Sequence, residues 1–319
     1  MVIHLYRGDS TLSNRLQSQI ALDDGIIIDN VRYLSIVSIY HIIRKYSNST
    51  LIVHQQSNLL NLLFICLLNF VFQRNINIIY DIHDLIELKS KGYKARVALF
   101  LSFIFESIVF RLNIKFLTVS SGLSRVLYCK YKRSVSVYYS MPNPKHITYQ
   151  EDDKKEETIV YFGIINETRL SIEVIEKICN AGIKLDIYGY FSRESIEYQL
   201  EIKKLIDRGV IQLKGKYKPD NIGNIVSKYP VSLMLFESNS INIRYCLPNK
   251  LFQSISSGVP CVILDNLFEV NLKFKKTGGV VLLDDFLTKR IKKVNIDIDI
   301  MGNMFKKNKF EYINVLRKG

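Results

Sequence analysis

A chain of 319 residues is long enough for two α/β domains of ordinary size. Hydrophobic residues make up 48% of it, which supplies a substantial core and excludes a disordered chain. The formal net charge of +14 favours anionic partners, whether nucleic acid, anionic lipid headgroups or phosphorylated small molecules, and alone does not choose among them.

The chain opens with VIHLY (2–6), a strand that runs into a polar turn; no basic segment followed by an apolar core and cleavage site precedes it. Further strands are predicted at 51–54, 76–84, 116–121 and 135–140. In the second half they fall at 158–163, 185–190, 210–215, 231–236, 261–265 and 280–285. Helical periodicity lies between most of them, at 33–46, 57–72, 93–112, 170–181, 194–207 and 248–257, and again from about Met301. Alternation of strand and helix implies crossover connections and parallel sheets. The strands are continuously apolar, as expected when helices cover both faces. The apolar runs Leu59–Phe72 and Val97–Phe110 fall short of the ~20 residues that a spanning helix needs.

Two prolines and a charged run mark 141–157 as a linker. It divides the chain into domains at 1–150 and 151–300, with the helix at 301–319 expected to pack back on the first. Cys66, Cys129, Cys179, Cys246 and Cys261 show no CxxC spacing and no zinc-type cluster, so they read as buried, reduced thiols of a cytosolic protein.

Ligands of open parallel sheets bind beyond the carboxyl ends of the strands. That rule selects Arg7 to Asp9, His83 to Glu87, Ser120 to Gly122, Gly163 to Arg169, Gly189 to Phe191 and Glu237 to Asn242. The most informative stretch runs from Glu237 to Ile263. A polar loop follows a buried strand, Pro248 stands at the first helical position, NKLFQSISS forms the helix, and Gly258 stops it before Pro260 and the next strand. The helix amino terminus offers free N–H groups and partial positive charge. Lys250 in its first turn opposes that charge unless an anion binds, and a diphosphate would use both features.

LPNKLFQSISSGVPCVI (Leu247–Ile263) resembles the nucleotide-binding signature of GT-B glycosyltransferases, in particular glycosyltransferase family 4 of bacterial polysaccharide assembly. IVYFGIINETRLSIEVIEKI (Ile159–Ile178) is similar to that family's first strand, glycine turn and helix, and LDIYGY to its next strand, which ends in a glycine. In the first half YDIHDLIE (Tyr80–Glu87), FLTVSSGLSRVL (Phe116–Leu127) and NPKHI (Asn143–Ile147) carry the likeness. The resemblance implies two Rossmann-like parallel-sheet domains facing across a cleft, the first for the acceptor and the second for a nucleotide-sugar. It implies donor contacts from Gly163, Gly189, Asn242, Pro248, Asn249 and Lys250.

The chain departs from the family at its paired glutamates. Gln253 stands at the second position and Tyr245 eight residues earlier. The family's second glutamate contacts the ribose hydroxyls, a role glutamine can take because it donates and accepts hydrogen bonds. Ile164 replaces the usual arginine after the first strand's glycine, and Arg169 is the candidate to supply the charge on the pyrophosphate.

His83 ends a strand between Asp81 and Asp84, where a carboxylate can orient an imidazole for hydrogen bonding or acid–base work. By resemblance it faces the donor sugar, with Asp84 as the accompanying catalytic carboxylate. No metal and no cofactor are expected, because no DxD-like pair ends a suitable strand. Residues 1–150 hold 17 Lys/Arg against 8 Asp/Glu, a net of +9. Lys89, Lys91, Lys94 and Arg96 precede the apolar helix and suit a dock on an anionic membrane at the cytoplasmic face. The expected acceptor is a saccharide or a lipid-linked saccharide. Two other classes compete. A GT-B-like partner without activity is favoured by the missing glutamates. A nucleic-acid binder is disfavoured, since neither a helix-turn-helix, a zinc finger nor an aromatic–basic strand platform is present.

Overall fold

The structure, a computed structural model, describes residues 1–6, 13–29, 36–54, 59–87, 92–141, 158–192, 196–218, 221–289 and 296–317. The turn at Arg7 to Asp9, Lys89, Lys91 and nearly all of the linker, including Asn143–Ile147, lie outside the described residues. The chain divides into two compact units, Met1–Ser140 with Lys306–Gly319, and Met141–Phe305.

The first unit runs β1 (Val2–Leu5), α1 (Asn14–Asp23), β2 (Ile26–Ile28), α2 (Ile36–Lys45), β3 (Thr50–His54), α3 (Leu59–Val71), β4 (Asn77–Ile82), α4 (Tyr93–Val109), β5 (Lys115–Thr118), α5 (Ser121–Tyr131) and β6 (Ser136–Val137). All pairings are parallel, in the order β2-β1-β3-β4-β5-β6. Alternate residues serve opposite faces of this sheet. Ile3, Leu51, Ile78 and Tyr80 pack with Ile39, Leu62 and Val109, whereas Ile52, Ile79 and Leu117 pack with Tyr138, Tyr312 and Val315. Both faces being covered explains the apolar runs.

The second unit runs β7 (Thr158–Ile165), α6 (Ile172–Asn180), β8 (Lys184–Phe191), α7 (Ile196–Asp207), β9 (Ile211–Gly215), α8 (Ile222–Val226), β10 (Ser232–Met234), α9 (Ile241–Tyr245), α10 (Asn249–Ser256), β11 (Cys261–Ile263), α11 (Phe268–Phe274), β12 (Val280–Leu282) and α12 (Leu283–Lys289). Its sheet is also parallel, in the order β12-β11-β10-β7-β8-β9. The chain proceeds outward from β7 to β9 and then returns to β7's other side with β10, so the switch point lies between β7 and β10.

The closing helix α13 (Ile298–Arg317) spans the division, and its later turns pack on the first unit. There the Asn308 side chain bonds both the N–H and the C=O of Tyr139, each at 2.7 Å, and Lys115 Nζ donates to the Val315 carbonyl at 2.7 Å.

Serine caps start several helices. Ser13, Ser120, Ser171 and Ser240 each accept a backbone N–H three residues on, at 3.2–3.3 Å. Elements added to the sequence-based expectation include β2, α1, α9, α11 and α12. Boundaries are corrected too: Pro248 caps α10 with extended ψ of 146° and the helix begins at Asn249, and the strand expected at 280–285 ends at Leu282, where α12 takes over.

Candidate functional site

Next to the second unit's switch point, β7 and β8 carry a pair of facing glycines. Gly163 and Gly189 are register partners in β7 and β8. A Cβ on Gly189 would stand 1.8 Å from the Gly163 carbonyl oxygen, so no side chain fits. Gly163 itself has φ of +123°, a conformation that favours glycine. Its Cα is covered by the Lys250 side chain: a Cβ there would meet Cε at 2.4 Å and Nζ at 2.6 Å. The Lys250 ammonium lies 4.0 Å from the centre of the Tyr161 ring. Lys250 keeps some exposure as a residue, but its ammonium end is enclosed. Burial first, and the Arg169 charge second, push that ammonium down to about 7.

Arg169 reaches this place from the turn between β7 and α6, with its guanidinium carbon 5.5 Å from the Phe236 ring centre. The turn is tied to the loop after β10, because Glu237 N–H donates to the Thr168 carbonyl at 2.8 Å and the Ser171 hydroxyl donates to the Glu237 carboxylate. Glu237, close to the site in sequence, thus has a structural partner. Among the described residues neither Lys250 nor Arg169 pairs with a carboxylate.

The same loop leads through α9 to α10. Asn242 is half-buried on α9, and Tyr245 at its end packs edge-on against Phe268, ring centres 6.3 Å apart. Leu251, Phe252 and Ile255 bury the inner face of α10. Ser254 fastens it to β10 through Ser232, Oγ to Oγ 2.6 Å. Gly258 ends the helix with φ of +67°. Pro248 offers no side-chain cap; Leu251 N–H donates back to the Pro248 carbonyl at 3.0 Å, which leaves the N–H groups of Asn249 and Lys250 to face outward from the helix start. Asn249 is exposed and Gln253 half-buried, one helical turn apart.

A second cluster occupies the first unit, at the carboxyl ends of β1, β3 and β4. This is that sheet's switch point, since β2 and β3 flank β1 on opposite sides. Asp81 is fully buried. Arg15 grips it with two bonds, Nε to Oδ2 at 2.8 Å and Nη2 to Oδ1 at 2.6 Å. Gln19 donates to Oδ2 at 3.1 Å, His54 Nδ1 lies 3.0 Å from Oδ2, and His83 Nε2 lies 3.3 Å from it. Burial alone would raise the Asp81 carboxyl. The Arg15 charge, aided by His83 and by bonds from His54 and His83, holds it well below the usual carboxylate range. Burial pushes the His54 imidazole down to about 4, against the pull of Asp81. Of the two carboxylates flanking His83 in sequence, Asp81 supplies its partner; Asp84 is exposed.

His54, Asp81 and His83 bring ligand atoms within 4.8 Å of one another. They do not suit a metal ion. Asp81 already neutralises the Arg15 guanidinium, and a cation beside its Oδ2 would face that guanidinium directly.

Sequence reasoning singled out His83, Lys250, Arg169 and both glycines, which the structure places in these two clusters, and did not single out Arg15, Gln19, His4 or His54. Arg15 and Gln19 sit on the unexpected helix α1. A pattern of buried polar residues at a four-residue spacing, Arg15 and Gln19, gives no apolar stripe to find.

No protein-family profile matches the chain, and no curated protein matches it in sequence. Solved structures do. The lipopolysaccharide outer core galactosyltransferase WaaB superposes with a TM-score of 0.62 at 12% identity, over 98% of each chain. An alpha-glucosyltransferase in complex with UDP and a DNA containing an HMU base superposes at 0.60 and 12% identity, over 99% of this chain and 94% of that one. S. aureus TarM, in complex with Fondaparinux, alpha-GlcNAc-glycerol and UDP, superposes at 0.52 and 14% identity, over 87% of this chain and 55% of that one. Two six-stranded parallel sheets flanked by helices, shared with these structures, define the GT-B fold.

Proposed function

We propose that this chain is a metal-independent glycosyltransferase that moves a sugar from a nucleotide-diphosphate sugar to a saccharide or lipid-linked saccharide of bacterial surface polysaccharide assembly. The carrying observation is the pair Lys250 and Arg169. Both are cations without a carboxylate partner among the described residues, and Lys250 lies over the Gly163–Gly189 floor in the first turn of α10. Burying Lys250's ammonium unpaired is costly, and a diphosphate repays that cost with charge-assisted bonds. The same groups stabilise the negative charge that develops on the leaving nucleotide, in place of a metal.

In this reading Gly163, Gly189 and the open N–H groups after Pro248 admit the diphosphate, with Asn249 at the helix entrance. Asn242, Tyr245 and Gln253 line the sugar and ribose side. His83 and Asp84 are the candidate catalytic residues.

The acceptor reading draws on α4. Tyr93, Val97, Phe100, Leu101, Ile104 and Ile108 are exposed and recur every three or four residues, so they form an apolar stripe on the solvent side of the helix. Exposed Lys94 and Arg96 stand at its start and Arg111 beyond its end. An apolar stripe flanked by cations suits the surface of an anionic membrane. Among the described residues no helix is long and apolar enough to cross one. In this reading the chain meets the cytoplasmic face of the membrane by contact, through this stripe.

The test is nucleotide release from UDP-, GDP-, CMP- and dTDP-sugars, with and without EDTA, offered lipid-linked saccharide or duplex DNA as acceptor. Release stimulated by the lipid-linked acceptor and indifferent to EDTA is expected. Stimulation by DNA alone, or a requirement for metal, would overturn the reading. Tyr245 and Gln253, standing where related enzymes carry glutamates, favour one rival: a partner protein that binds nucleotide without releasing it.

A further inference from the structure

The amino ends of the first unit's strands, opposite the edge that carries His83, hold two open clefts. The larger, about 900 Å³, lies between the end of α3 and the turn from α4 into β5. Leu63, Leu67, Phe70, Ile76, Leu112 and Ile114 give it an apolar lining. Burial pushes the thiol of Cys66, in the same wall, up to about 12, as an apolar surrounding does. Phe70 lines this cleft and is still 82% exposed, a large ring that water covers poorly.

The smaller cleft, about 640 Å³, lies between the starts of β5 and β6 and the last turns of α13. Lys115, Lys132 and Arg133 line it with a single acid, Glu311, which leaves its lining with a net charge of +2. Arg133 is placed by a backbone group, Nη2 donating to the Leu112 carbonyl at 3.1 Å, and by the Phe116 ring, 5.8 Å from its guanidinium carbon to the ring centre. Neither contact neutralises it. Among the described residues Lys132 and Arg133 pair with no carboxylate.

The two clefts adjoin. Ile114 lines both, and Leu112, in the wall of the apolar cleft, supplies the carbonyl that holds Arg133 beside the basic one. A hydrocarbon gains only from the first cleft, and a small anion only from the second. A molecule that gains from both carries a hydrocarbon part joined to an anionic head.

We infer that the adjoining clefts bind one anionic phospholipid, its acyl chains in the apolar cleft and its phosphate at Lys132 and Arg133. The lipid is retained and not consumed, because the six residues of β4, roughly 20 Å of strand, separate this end of the sheet from His83. It comes from the surface that α4 meets. Helix α3 packs beside α4, and the exposed stripe of α4 ends at Ile108, one helical turn before Leu112. The site itself does not depend on the transferase reading.

Calorimetric titration of the full chain with dihexanoyl phosphatidylglycerol, kept below its micelle concentration, tests the site without a membrane. One molecule should bind per chain, and glycerol phosphate, the head alone, should bind at least about tenfold more weakly. Lys132 has φ of +55°, which asparagine tolerates, so Lys132→Asn should fold and narrow the preference for phosphatidylglycerol over dihexanoyl phosphatidylcholine. Leu67→Ser with Phe70→Ser, both exposed positions, should weaken both lipids by about tenfold at an unchanged melting temperature. Phe100→Ser with Ile104→Ser, on the α4 stripe, should leave the affinity as it is. No binding, equal binding of glycerol phosphate, or unchanged affinities in the two cleft variants would overturn the inference. Loss of binding in the α4 variant would overturn it as well, by placing the lipid on the stripe. Binding of the expected pattern in a chain without transferase activity would uphold the site and remove only the proposed reaction.

Discussion

The side chain of Lys250 lies across the Cα of Gly163, so close that a Cβ at that position would stand 2.4 Å from its Cε. One residue from β7 and one from α10 thus share a single space. The lysine reaches its enclosed position only because position 163 has no side chain.

Gly163→Ala should therefore expel Lys250 as well as strain a backbone at φ +123°. Nucleoside diphosphate affinity should fall by about tenfold or more, the scale of one charge-assisted contact, in a protein that remains folded. Gly189→Ala should act differently. Its Cβ meets backbone, 1.8 Å from the Gly163 carbonyl, and the β7–β8 pair must part. A stability loss of about 3 kcal/mol is expected, measured by denaturant titration.

Binding should be linked to pH through Lys250. Its ammonium is pushed down to about 7 in the free protein, by burial and then by Arg169. A diphosphate favours the charged form and raises that value, so binding above pH 7 takes up a proton. Affinity should be flat from this group below pH 7 and fall above it, by about tenfold per pH unit at the steepest. Calorimetry in buffers of different ionisation heat measures the uptake directly. Lys250→Arg, which stays charged, should abolish it.

Acid should act on the first unit through His54. Its folded value is about 4 against an ordinary value of 6.5. The native state thus binds fewer protons than the unfolded chain between these values, and this stabilising contribution is complete above about 6.5 and lost as pH falls toward 4. The loss is about 3 kcal/mol. His54→Asn retains a donor toward Asp81 and has no proton to gain. Denaturant titrations at pH 7 and pH 4 should show a smaller decline in the variant than in the wild type.

The helix α4 should hold the chain on anionic vesicles. Phe100 and Ile104 are 64% and 39% exposed. Replacing both with serine should leave the melting temperature near that of the wild type and reduce co-sedimentation with vesicles containing anionic lipid. Equal sedimentation of the two would remove the membrane surface from this helix.

The sequence made some of this architecture easier to read than the rest. Strands such as TIVYFG and LIVH announce themselves because both faces of each sheet are covered, and their residues are apolar throughout. Strand β2 has only three residues, Ile26–Ile28, at a sheet edge, too few for any periodicity. Helix α1 hides for another reason: Arg15 and Gln19 on its inner side are polar because they serve Asp81. Lys250 and Gly163 stood out individually. Their contact did not, because it joins residues 87 positions apart through a backbone conformation that no local pattern encodes. The His83 partner was narrowed to two aspartates by sequence and decided by burial. Asp81 ends a strand inside the sheet, whereas Asp84 lies three residues later in solvent.

The most direct measurement is isothermal titration of UDP, GDP, CDP and dTDP into the wild type, Lys250→Ala and Arg169→Ala, with melting temperatures recorded alongside. The account predicts that one diphosphate binds the wild type and that each substitution weakens it by about tenfold or more without lowering the melting temperature. Equal binding to all three proteins, or no diphosphate binding the wild type, would contradict it.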